Sequence, residues 1–253
     1  VQTILTADQV EEQERFAYWR EMACDVFVQL DASRLSRQTF TGRMEIGSLE
    51  DIQISEVSAD PQHIVRSKHH IDNSGEDFFL VNLQIAGKGY TEQDQREASL
   101  QPGDFVLYDS TRPYILHFEQ PFQQIVFQFP RSLLLSRCRQ AEQMTSVRIP
   151  GMQHPVSAMV STLMRTVAAS YLYLDSITRM RVVESTLDLL ATSLSTISNV
   201  KLDEISSAAN IHRAGALAFI TAHFSRIFKQ YFGVSPSEYR TAVLNPSGIQ
   251  KRS

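Results

Sequence analysis

Ile52-Gln53-Ile54-Ser55-Glu56-Val57 alternates apolar and polar residues, the period of a strand with one buried face. Met44-Glu45-Ile46 repeats the pattern upstream, and Phe78–Ile85 and Phe122–Phe129 are richer in aromatic and β-branched residues. Turn chemistry punctuates these runs at Asn73-Ser74-Gly75, Gly87-Lys88-Gly89, Gln101-Pro102-Gly103-Asp104 and Arg112-Pro113. Short strands at this spacing from Phe40 to Phe129 predict a sandwich or small barrel. The ~30-residue βαβ rhythm of a doubly wound sheet is missing.

On both sides the period becomes helical. Val10, Phe16, Trp19 and Met22–Ala23 predict a first helix with an N-cap at Ala7-Asp8. Beyond Pro155, Ser157–Leu174 and Ser176–Ser198 predict two more. In the last, Met180, Val183, Leu187, Leu190, Leu194 and Ile197 recur at intervals of three and four, a seam suited to packing one helix along another. The seam suits a subunit interface, with Met180, Val183, Leu187, Leu190 and Leu194 as dimerisation residues, and equally an ordinary core-facing stripe. The expected organisation is an all-β domain over 1–155, a helical segment over 156–198 and a third region over 199–253.

The 253 residues are 43% hydrophobic and 21% charged, the balance of a soluble protein with a sizeable core. No run approaches the ~18 apolar residues of a membrane span, and Val1–Arg15 lacks a secretion pattern. Two cysteines, Cys24 and Cys138, are too few for a disulfide scaffold or a four-cysteine zinc site. A cytoplasmic protein without membrane contact is expected. Its charge is unevenly divided: residues 199–253 hold seven basic against three acidic residues (+4), and residues 1–198 hold 17 against 25 (−8). A basic end suits phosphate, although many proteins that never meet nucleic acid also have one.

Within that basic end, Ala218-Phe219-Ile220-Thr221-Ala222-His223-Phe224-Ser225-Arg226-Ile227-Phe228-Lys229-Gln230-Tyr231-Phe232 reads as a helix. Phe224, Ile227 and Phe228, with Tyr231 or Phe232, form its buried stripe; Thr221, His223, Ser225, Arg226 and Lys229 form its polar and basic side. Gly233 suits a C-terminal stop, and Pro236 can open a further short helix. Such a helix can enter a major groove, with Arg226 or Thr221 at base edges and Lys229 on phosphate.

The run F-S-R-x-F-K-x-x-F-G-V-S-P-x-x-Y-R closely resembles the end of the second helix-turn-helix of AraC/XylS-family transcriptional regulators. Leu202-Asp203-Glu204-Ile205 through Arg213 resembles the start of that family's first helix-turn-helix. The resemblance implies double-stranded DNA and RNA polymerase as partners, and activation by family habit. The chain also departs from the family: the first recognition helix and the linker helix have no counterpart between Arg213 and Ala218. Two helices cannot leave a packed helical domain without exposing its core. Residues are therefore expected to be missing near Ser198–Lys201, Arg213–Gly215 and Phe219. If the chain is continuous there, residues 199–253 are expected to be an incomplete helix-turn-helix remnant that does not bind DNA.

Trp19-Arg20-Glu21, Val57-Ser58-Ala59-Asp60-Pro61-Gln62 and Gln101-Pro102-Gly103-Asp104, with Leu107 through Tyr114, resemble the AraC-binding-like domains of regulators of aromatic-compound and amine catabolism. This implies a cupin-like β-barrel followed by paired dimerisation helices. A small organic effector, aromatic or carboxylate-bearing, is expected inside. Phe79, Val81, Phe105, Leu107, Phe127 and Phe129 would be its walls, and Arg66, His70, Gln84, Tyr108, Arg112, Tyr114 and His117 its orienting groups.

Cupins also include metal enzymes, and Pro113-Tyr114-Ile115-Leu116-His117 is similar to part of their second motif. The first motif needs H-x-H; adjacent His69-His70 on a strand would point to opposite faces. No metal or other cofactor is expected, and no G-x-S-x-G, P-loop, H-E-x-x-H or G-x-G-x-x-G occurs. The alternatives are a metal-dependent cupin enzyme, or a sensor and dimerisation protein lacking a DNA-binding output.

Overall fold

The computed structural model describes residues 2–199 other than Ser74 and Glu76, together with Lys229, Val234 and Ser235. Val1–Ser198 form one unit and Asn199–Ser253 a second. The alternating runs of the first unit pair into two antiparallel sheets. One has six strands in the order β1 (Thr3–Thr6), β3 (Gly42–Leu49), β4 (Ile52–Ala59), β11 (Phe122–Pro130), β6 (Phe78–Ala86) and β9 (Phe105–Asp109). The other has five, in the order β2 (Asp31–Arg34), β5 (Gln62–Arg66), β10 (Tyr114–Phe118), β7 (Gly89–Gln93) and β8 (Arg96–Leu100).

Inner-face residues of both sheets share one apolar cluster that includes Met44, Leu80, Val106, Leu116 and Phe118. Helix α1 (Arg15–Val26) adds Trp19, Met22 and Ala23 to it. Trp19 lies on the backbone of Gly42, where any Cβ would come within 2.6 Å of the indole. This helix starts later than expected. The expected start at Ala7-Asp8 forms only a 3-10 turn, Ala7–Gln9, which follows the β1 strand Thr3–Thr6 paired with β3.

The outer face of the six-stranded sheet carries a second core. Register aligns Ile54, Phe127, Val81 and Leu107 in one row across β4, β11, β6 and β9. This row, with Phe79, Phe105 and Phe129, packs against helix α4 (Pro155–Ser170) and helix α5 (residues 176–199). The expected pocket walls Phe79, Val81, Phe105, Leu107, Phe127 and Phe129 therefore face the helices and not the barrel interior. Strands β11, β6 and β9 are buried on both faces over most of their length, so they lose the polar alternation that would have told inside from outside.

The seam of α5 is used in the same place. Val183, Leu187, Leu190 and Leu194 are buried in this second core within the single chain, whereas Met180 is 60% exposed. A spacing of three and four serves an intrachain contact as well as a subunit interface, and burying each such side chain stabilises by about 1.5–3 kcal/mol. Both helices start on local signals. Pro155 opens α4, where its missing N–H costs no helical bond. The Asp175 carboxylate accepts from the Ile177 and Thr178 N–H groups at 3.1 and 3.0 Å and so caps the start of α5.

Candidate functional site

The inner register builds a polar line inside the barrel. Val57, Gln124 and Gln84 are neighbours across β4, β11 and β6, and Val126, Asn82 and Val106 form the next inward row. The Tyr108 hydroxyl donates to Asn82 Oδ1 at 2.9 Å, and Asn82 Nδ2 donates to Gln124 Oε1 at 2.9 Å. Gln124 Nε2 donates to Gln84 Oε1 at 2.7 Å, and Gln84 Nε2 ends the line on the Ala86 carbonyl at 2.7 Å. All four side chains are buried. Burial pushes the Tyr108 hydroxyl well above its ordinary value, and neighbouring Tyr114 adds to the shift, so it stays a neutral donor.

Beside this line lies a cavity of about 50 Å³. Trp19, Asn82, Tyr108, Tyr114, Phe122 and Gln124 are among its lining residues, none of which is charged. Trp19 Nε1 donates to Gln62 Oε1 at 3.0 Å, and the Tyr108 and Tyr114 rings meet at 4.8 Å. Phe122 stacks on Phe118 at 3.6 Å and also lines an open groove of about 400 Å³ that includes Thr41, Arg43 and Asp60.

Of the expected orienting groups, Tyr108 and Tyr114 line the cavity and Gln84 stands behind Gln124. The others lie elsewhere. Arg66 is buried, with Nε donating to the Ser110 carbonyl at 2.8 Å and Nη1 to that of Gln29. Arg112 is held by Asp109 at 3.0 Å and by Asp94, and so ties down its turn. Asp109 also meets Arg131 of helix α3 (Arg131–Leu135) at 3.2 Å. His117 is on the outer side of β10, its Nδ1 3.1 Å from that of His63.

His69 and His70 sit on a short helix, α2 (Lys68–Asp72), and not on a strand. The Ser67 N–H donates to His70 Nδ1 at 3.1 Å, and this local bond favours the turn. Among the described residues, no group of three or more His, Cys, Asp or Glu side chains is placed to hold one metal ion. The site residues missed from sequence are Trp19, Gln62, Asn82 and Gln124. For Asn82 and Gln124 the available signal was a carboxamide within a largely apolar strand, which must find a partner once buried.

A profile of the AraC-binding-like domain matches residues 19–195, and one of bacterial regulatory helix-turn-helix proteins of the AraC family matches residues 221–241. The chain belongs to the AraC family. A protein of Bacillus sp. (strain OxB-1), described as an uncharacterized protein in the nit 5′ region, is 69% identical over 89% of this chain and 87% of its own length. The transcriptional activator NphR of Rhodococcus sp. is 25% identical over 75% of this chain and 78% of its own. The crystal structure of the AraC-like transcriptional activator CuxR shares the fold, with a TM-score of 0.69 and 17% identity over 77% of this chain and 70% of that one.

As an AraC-family member the chain is a DNA-binding transcription regulator with a cupin-like domain. Of its expected DNA contacts, Thr221, His223, Ser225 and Arg226 lie outside the described residues, and Lys229 is helical and exposed. The expected discontinuities near 198–201, 213–215 and 219 also fall largely outside the described residues. No described helix is long and apolar enough to cross a membrane.

Proposed function

We propose that the chain is a cytoplasmic, effector-responsive activator of transcription and not an enzyme. The observation that carries this reading is the interior cavity, lined by aromatic rings and carboxamides without an imidazole or carboxylate, in a chain with a helix-turn-helix match. A small organic effector held there shifts the ensemble toward a DNA- or polymerase-competent arrangement to the extent that it binds that arrangement more tightly. Activation through RNA polymerase follows the family and the name of NphR. Homodimerisation is part of the proposal. With the α5 seam buried, it would use other surfaces, such as exposed Met159, Ile177 and Met180.

The test is selection of duplexes from a fragmented genomic pool by the purified chain. Retention should weaken steeply as salt rises, and Arg226→Ala should weaken it further, by about 1–3 kcal/mol if the arginine reads a base. A second reading, a sensor without working output, is favoured by the confinement of the helix-turn-helix match to residues 221–241. It predicts that no duplex is retained at any salt concentration.

A further inference from the structure

We infer that the effector is uncharged: a small apolar or aromatic body with a hydrogen-bonding head such as a carboxamide, and neither a carboxylate nor an ammonium ion. The inference rests on reading the cavity as the effector site. Its lining offers the hydroxyl of Tyr108 and the carboxamides of Asn82 and Gln124, all neutral, among aromatic and aliphatic walls. The nearby cations are committed elsewhere, Arg66 to the Ser110 and Gln29 carbonyls, Arg112 to Asp109 and Asp94, and Arg43 of the adjoining groove to Glu45. A carboxylate entering this site would lose its hydration with no cation to replace it, and an ammonium would find no carboxylate. A carboxamide would meet donors and acceptors of its own kind.

Size narrows the class further. A cavity of about 50 Å³ holds a few waters, so an organic ligand must displace side chains as it enters. Phe122, shared with the open groove, is the side chain whose movement would join the two spaces.

The chain has one tryptophan, and Trp19 lines the cavity, so its fluorescence reports occupancy. The full chain is titrated with benzamide, benzoate and benzylammonium at neutral pH. Benzamide is expected to shift Trp19 emission saturably and to bind at least tenfold more tightly than either ion. Benzoate should gain affinity as pH falls toward its own pKa. Tyr108→Phe should weaken benzamide binding several-fold with an unchanged circular dichroism spectrum. Equal or tighter binding of benzoate or benzylammonium overturns the charge assignment and leaves the effector site standing. No Trp19 response to any of the three overturns the effector site as well.

Discussion

At Gly89, β7 passes so close to the buried amide line that a Cβ would lie 2.8 Å from Gln84 Oε1, 3.1 Å from the Phe118 ring and 3.3 Å from Gln124 Nε2. Gln84 cannot simply swing aside, because its oxygen accepts the Gln124 bond and its nitrogen is tied to Ala86. Gly89→Ala is therefore expected to destabilise by about 1–3 kcal/mol, through overpacking and a strained buried hydrogen bond. In a thermal melt this should lower the midpoint by roughly 2–4 °C per kcal/mol. An unchanged midpoint would mean that the interior has room the geometry denies it.

Neighbouring strands carry a like-charge pair: Glu45 on β3 stands opposite Glu56 on β4. Burial, and then Glu45, raise the Glu56 pKa above its ordinary 4.5. An acid raised on folding contributes stability below its unfolded pKa, and that contribution is lost as pH rises through the folded value. Glu56→Gln should thus gain stability over the parent as pH rises from about 4 to 7. The gain should be about 0.2–1 kcal/mol, kept small because both carboxylates are partly open to water. Urea melts giving the same difference at both pH values would exclude the pairing. The strands themselves were legible: Met44–Ile46, Ile52–Val57, Phe78–Ile85 and Phe122–Phe129 all fall inside observed strands. Which side faces the cavity was not, because β9 is buried at every position and offers no alternation to read. Tyr108 and Tyr114 could be anticipated as polar-tipped aromatics, whereas Asn82 and Gln124 become neighbours only through the antiparallel register of β6 and β11.

At the scale of the molecule, Val1–Ser198 form a compact unit of their own, and among the described residues both apolar clusters lie within it. The net charge divides the same way, −8 before Asn199 and +4 from there on. A fragment of residues 1–198 should therefore keep its core while losing the basic residues that attract phosphate. Its melting midpoint should lie within roughly 3 °C of the full chain, the shift of about 1 kcal/mol in a chain of this size. Trp19 should emit at the same wavelength and respond to benzamide as in the full chain, while duplex retention disappears. A red-shifted Trp19 would show that the barrel needs the second unit to stay closed. Duplex retention by the fragment would place DNA contact on the acidic unit, against the charge distribution.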